Sequence, residues 1–171
     1  FRNPVGVVMH LVCPAGSPPA LMTAVDHGAD AVYVGFRDQT NARAFPGLNF
    51  SEADLRAGIR YAHARGRKGY VALNTYPGPA RFGDWQAAVD RAAALGVDAI
   101  ICADMGVLDY AARTHPTLPR HLSVQGSATT HAALRYYRER FGIARAVLPR
   151  VLSIQQVERL CEQDVVPIEV F

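Results

Sequence analysis

The sequence is short of cysteine, almost empty of lysine, and free of any long apolar run. Cys13, Cys102 and Cys161 lie far apart and form no C-x-x-C pair. That excludes a disulfide framework and any visible zinc or dithiol redox motif. The three thiols read as small buried hydrophobes of a reducing, cytoplasmic protein. No stretch approaches the ~18 consecutive apolar residues that a membrane-spanning helix needs. Residues 1–8 carry too little of a secretory pattern to be a signal. Met9 stands directly before an apolar run, so residues 1–8 are expected to be an upstream extension or an expression remnant.

Several catalytic signatures are missing as well. No G-x-G-x-x-G, G-x-S-x-G or H-E-x-x-H occurs, which removes the dinucleotide turn, the nucleophile elbow and the zinc-peptidase pair. The six histidines do not cluster, so they predict no metal site. Lys68 is the only lysine, and every other basic residue is arginine. A net charge of +3 is mild and gives little support to nucleic-acid binding by itself.

What is present is enough hydrophobic residue, 50% of 171, to bury a core. Short β-branched runs alternate with helix-length segments. Strands are predicted near His10–Cys13, Ala31–Gly35, Lys68–Thr75, Asp98–Ala103, His121–Gln125, Ala144–Pro149 and Pro167–Phe171. Their near-continuous apolar character suits parallel strands covered on both faces. Helices are predicted between them. Ser51 and Asp84 read as N-caps, and Ser153 with Gln156 as a capping box. Gly28, Gly96 and Gly142 read as helix stops. GADAVYVG (Gly28–Gly35) and GVDAIICAD (Gly96–Asp104) share one grammar, and FGIARAVLPR (Phe141–Arg150) repeats it with one extra residue.

Alternating strands and helices mean right-handed crossovers and a parallel sheet. A doubly wound sheet would usually show a glycine-rich turn after its first strand; here that turn is CPAGSPPA. The fold class is therefore α/β, an incomplete (β/α)8 TIM-type barrel with about seven parallel strands and six helices. Such a barrel usually takes ~250 residues and eight strands. Residues 9–171 are expected to be one truncated barrel domain.

Barrel enzymes place their chemistry at the C-terminal ends of the strands. That rule selects the turn Pro14–Ser17, the loop Arg37–Arg43, Asn74, Thr75, Asp104, Gln125, Ser127, Arg150 and Glu169. Of these, Asn41, Arg43, Asn74, Asp104, Gln125, Ser127, Arg150 and Glu169 are the pocket candidates. They are polar and mixed, suited to an anionic or polar organic molecule. No nucleophile paired with a base stands out, so no catalytic residue is assigned. Asp104 reads equally as an N-cap. Arg135, Arg138, Arg140 and Arg145, interleaved with Tyr136, Tyr137 and Phe141, read either as a phosphate-touching stretch or as a solvated helix face.

The segment Leu11–Phe50 resembles the amino-terminal part of the collagenase-like peptidase family, labelled U-thirty-two. HLSVQGSATT (His121–Thr130) and ARAVLPRVLS (Ala144–Ser153) extend the resemblance. The loop Thr40–Phe50 looks like the UbiU branch. The resemblance implies a (β/α) barrel and, with a UbiV-like partner, oxygen-independent hydroxylation of the aromatic ring of a ubiquinone precursor. It further implies a 4Fe–4S cluster on four cysteines in the full-length protein. The family signature E-x-F-x-x-G-S-L-C is matched at Glu169, Val170 and Phe171 only, so no cluster is expected within residues 1–171. A collagenase-like peptidase and an RNA-modifying family member are the alternative functions. DNA and RNA are not expected as partners.

Overall fold

Seven apolar runs pair side by side as parallel strands. They are β1 (Val12–Pro14), β2 (Ala31–Gly35), β3 (Lys68–Leu73), β4 (Ala99–Cys102), β5 (Arg120–Leu122), β6 (Ile143–Val147) and β7 (Ile168–Glu169). Between them run six helices: α1 (Pro18–Asp26), α2 (Glu52–His63), α3 (Phe82–Ala94), α4 (Met105–Thr114), α5 (His131–Phe141) and α6 (Ile154–Glu162). The computed structural model describes residues 9–171, so the expectation for residues 1–8 lies outside the described residues.

Strand order in space is the order in sequence, β1 to β7, and every neighbouring pair is parallel. A doubly wound sheet reverses its strand order at a switch point. This one does not. It curls into an unclosed half-barrel with the helices outside, which is the predicted incomplete TIM-type architecture.

The helices start and stop for local reasons. Ser17, Ser51, Asp104, Thr130 and Ser153 each accept a backbone N–H in the first helical turn. Ser51 completes a capping box with Asp54, and Ser153 with Gln156. Gly28, Gly96 and Gly142 have φ of +98°, +70° and +61°, the left-handed turn that glycine adopts without penalty. One cap differs from expectation. α3 begins at Phe82, and Asp84 lies inside its first turn. A 3-10 turn at Pro79–Arg81 precedes the helix. Proline sets a helix-like φ before Asp84 is reached, so the helix opens early.

Several strands are shorter than the apolar runs suggest. β5 stops at Leu122, because Ser123 caps a 3-10 turn over Val124–Gly126. β3 stops at Leu73, so Asn74 and Thr75 belong to the loop. β7 covers only Ile168–Glu169, and Pro167 before it has no N–H to give to the ladder.

Alternation along each strand separates two faces. The outer face carries Val32, Val71, Leu73, Ile100 and Leu122. These pack beneath Leu21, Leu55, Ile59, Trp85, Leu108 and Leu134 of the helices. Arg120 is a buried cation in this outer layer. Its guanidinium donates to the carbonyls of Leu118 (2.7 Å) and Phe141 (2.9 Å), so its role is structural. The inner face is more mixed. Ala31, Tyr70, Ala99 and Ile101 form a small separate cluster there, with Val12 and Tyr33 against it.

Candidate functional site

The inner face opens at the C-terminal ends of the strands into a cavity of about 230 Å3. Six of the eight pocket candidates line it: Asn41, Arg43, Asn74, Gln125, Arg150 and Glu169. Pro14, Ala15 and Gly16 supply the wall after β1. Residues contributed by positions far apart in sequence meet here, as the strand-end rule requires.

The loop after β2 is the most constructed part of the wall. Asn41 is 6% exposed, and its Nδ2 donates to Asn49 Oδ1 (3.0 Å). The Arg43 N–H donates back to Asn41 Oδ1 (3.1 Å), and Asn49 Nδ2 donates to the Arg43 carbonyl (2.6 Å). Asn49 has φ of +72°, a left-handed conformation that asparagine tolerates better than most residues. Asn74 fastens this loop to β3 by accepting the Ala42 N–H at 2.9 Å. Thr75 does the same from outside the cavity, donating its hydroxyl to the Gln39 carbonyl at 2.6 Å. The loop is therefore a fixed wall rather than a loose flap. Asp38 anchors its start. Burial raises its pKa, but hydrogen bonds from Thr40 and Arg91 outweigh that and hold the carboxyl below its ordinary value.

Two candidates do not reach the site. Asp104 accepts the Val107 N–H at 3.0 Å and is the N-cap of α4, away from the cavity. An orphan donor in the first helical turn claims its carboxylate. Ser127 sits at φ +50° on the exposed end of the 3-10 turn, outside the cavity lining. The early end of β5 turns the chain away before it.

The arginines divide clearly. Arg37 pairs with Asp54, Arg91 with Asp38 and Arg145 with Glu169. Arg43 and Arg150, both on the cavity, have no carboxylate partner among the described residues. The Arg150 guanidinium instead lies 5.2 Å from the centre of the Phe171 ring. Two uncompensated cations at a cavity mouth favour an anionic or strongly polar guest. The arginine stretch of α5 forms no comparable site. Arg138 donates to the Val165 carbonyl, Arg140 pairs with Asp109 at 3.5 Å, and Arg145 turns inward.

Beneath the wall the barrel interior carries polar groups beside the apolar cluster of Ala31, Tyr70, Ala99 and Ile101. The ion pair from Arg145 Nη1 to Glu169 Oε2 measures 3.1 Å, with side chains 17% and 11% exposed. Arg145 is the register partner of His121 on β5. The Tyr70 and His121 rings meet edge to face at 4.9 Å. Burial, then the positive charges of Arg145 and Lys68, push the His121 pKa down to about 3, so its imidazole is neutral. His121 Nδ1 is buried without a hydrogen-bond partner.

Residues 16–171 match the sequence profile of Peptidase family U32. The chain belongs to peptidase family U32. It is 34% identical over 158 residues to tRNA hydroxylation protein P of Escherichia coli (strain K12), covering 90% of this chain and 33% of that protein. It is 32% identical over 152 residues to the collagenase of Porphyromonas gingivalis (strain ATCC BAA-308 / W83), covering 89% of this chain and 36% of that one. The U32 chain therefore spans about a third of the length of these curated relatives. The solved structure of the U32 peptidase Mk0906 aligns at a TM-score of 0.77 and 18% identity, covering 99% of this chain and 70% of that one. That match concerns the fold.

The thiols of this U32 chain do not suit an iron–sulfur cluster. Cys13 is half-buried on β1, Cys102 is buried at the end of β4, and Cys161 is exposed on α6. Burial drives the Cys102 thiol far above its ordinary pKa, which disfavours the thiolate a metal needs. Among the described residues no group of three or more histidines, cysteines and carboxylates converges as a metal site. A 4Fe–4S cluster normally takes four thiolates, and the three cysteines here stand on β1, β4 and α6. No helix among the described residues is long and apolar enough to cross a membrane.

Sequence reasoning overlooked Tyr33, Asn49, Ser123 and Phe171, all of which line the cavity. Ser123 lies two positions past His121, and Tyr33 two past Ala31, so two-residue alternation was the signal for both. Asn49 carried no such signal, because its place depends on loop closure.

Proposed function

We propose that this chain is the substrate-holding barrel part of a hydroxylating member of peptidase family U32. The observation that carries the reading is the cavity lining. It offers amides from Asn41, Asn49, Asn74 and Gln125 and two uncompensated guanidiniums, with no histidine or cysteine among the lining residues. That set binds and orients a polar molecule. It shows no serine or cysteine nucleophile paired with a histidine base, the arrangement of covalent acyl hydrolysis. The name of the Escherichia coli relative, which speaks of hydroxylation, supports the same direction.

In its finer form the reading is UbiU-like. With a UbiV-like partner, the whole protein serves oxygen-independent hydroxylation of the aromatic ring of a ubiquinone precursor. The redox centre is a 4Fe–4S cluster held by cysteines outside these residues. The chain's own part is to bind the ring, fix its orientation and exclude water. The loop Thr40–Phe50 and the Glu169 signature position motivate this branch. A second reading is hydroxylation of tRNA, favoured by the name of the Escherichia coli relative, tRNA hydroxylation protein P.

Deleting the gene in its own host tests both. Loss of ubiquinone only in cells grown without oxygen is the expected result. Unchanged ubiquinone with loss of a hydroxylated tRNA nucleoside would replace the first reading by the second. Unchanged levels of both in the deletion strain, with gelatin cleavage by the purified whole protein, would restore the peptidase reading.

A further inference from the structure

The inner face holds a carboxylate with one oxygen occupied and one free. Glu169 Oε2 accepts from Arg145 Nη1 at 3.1 Å. Its Oε1 has no hydrogen-bond partner among the described residues and is not among the fully buried unpartnered atoms. Glu169 lines the cavity while its side chain is only 11% exposed. Nearly buried carboxylates are costly unless paired. Arg145 provides that pairing from inside the barrel, two strand positions below Val147 and beside His121. The neighbouring imidazole bears no charge, and Arg145 is the cation in salt-bridge contact with Glu169.

An ion-paired carboxylate accepts hydrogen bonds and cannot donate them. The rest of the cavity lining, the amides and arginines, is rich in donors. Glu169 is thus the strong acceptor within a donor-rich cavity. We infer that Glu169 Oε1, held in place by Arg145, is the subsite for a ring-borne O–H or N–H donor, and that it selects ligands presenting such a donor at the ring edge. A phenolic hydroxyl and the ring N–H of a nucleobase satisfy the same chemistry. This rests on the proposed ring-binding role of the cavity and extends it to a specific contact. Arg145 acts through Glu169 and is a positioning residue.

The test compares matched rings by saturation-transfer NMR titration of the 171-residue chain. Phenol is paired with anisole. Uridine, which carries one ring N–H, is paired with 3-methyluridine. In each favoured pair the methylated ring should bind about tenfold more weakly or worse, the loss expected when a buried charged acceptor is left unmet. Glu169→Gln, whose amide both donates and accepts, should erase that ratio. Arg145→Lys, which keeps a cation, should retain it. A preference confined to phenol identifies a small phenolic guest, and one confined to uridine a nucleobase. Equal binding of donor and methylated rings to the parent chain overturns the Glu169 inference while leaving the cavity's role intact. So does a ratio unchanged in Glu169→Gln. Binding of neither ring family overturns the ring-binding reading itself. Should Glu169→Gln fail to fold, the methyl ratio of the parent chain decides the matter alone.

Discussion

Replacing Gly35 by alanine should displace Asn41 from the cavity wall. An ideal Cβ at position 35 would sit 1.9 Å from Asn41 Nδ2 and 2.3 Å from its Cγ. No real contact is that short, so one group must move. Gly35 does not adopt a left-handed φ, and its replacement is strained by this contact alone. Asn41 is nearly buried and holds two hydrogen bonds within the loop, to Asn49 and from Arg43. Overpacking a filled site costs about 1–3 kcal/mol. Losing two buried hydrogen bonds adds about 1 kcal/mol each. A total of about 3–5 kcal/mol follows if both terms act fully. The assay is a four-variant urea cycle of parent, Gly35→Ala, Asn41→Ala and the double substitution. Truncating Asn41 removes the clashing Nδ2 and Cγ, so most of the Gly35→Ala penalty should vanish in that background. The coupling should reach about 2–4 kcal/mol, most of the Gly35→Ala penalty, in the sense that the double variant loses less than the sum. Strict additivity would refute the claim that this glycine exists to seat Asn41.

Two further expectations follow from buried and capping groups. His121 has its folded-state pKa depressed to about 3 from 6.5, so the unfolded chain binds a proton that the folded chain resists. Its contribution to stability is fully present above pH 6.5 and falls as pH drops towards 3. The limiting slope is about 1.4 kcal/mol per pH unit. His121→Phe should flatten that portion of the stability–pH curve measured by urea unfolding, and equal slopes in the two proteins would contradict it. Asp104→Ala should cost about 1 kcal/mol through loss of the α4 cap, with ring binding unchanged. Altered ring affinity in a variant of ordinary stability would return Asp104 to the site.

How far the sequence could be read differs from residue to residue. Ser51 and Ser153 announced their caps correctly, since a cap involves groups only three residues apart. Asp84 misled because Pro79, a few residues earlier, had already begun the helical turn. Gln125 lines the cavity from a 3-10 turn, where the sequence predicts a strand end. Arg145 was read with its neighbours on α5 as one basic stretch. It lies on β6 and faces inward, where its partner Glu169 is 24 residues away.

The alternation of apolar strands, striped helices and glycine stops settled the parallel (β/α) architecture by itself. Each βα unit states its local conformation in its own residues, and a parallel sheet in sequential order is the arrangement that buries them all. The tertiary structure alone decided which polar residues share a cavity, that Asp104 and Ser127 are outside it, and that one oxygen of Glu169 is free. Those outcomes depend on strand register and sheet curvature, which bring together side chains from units that carry no information about one another in sequence.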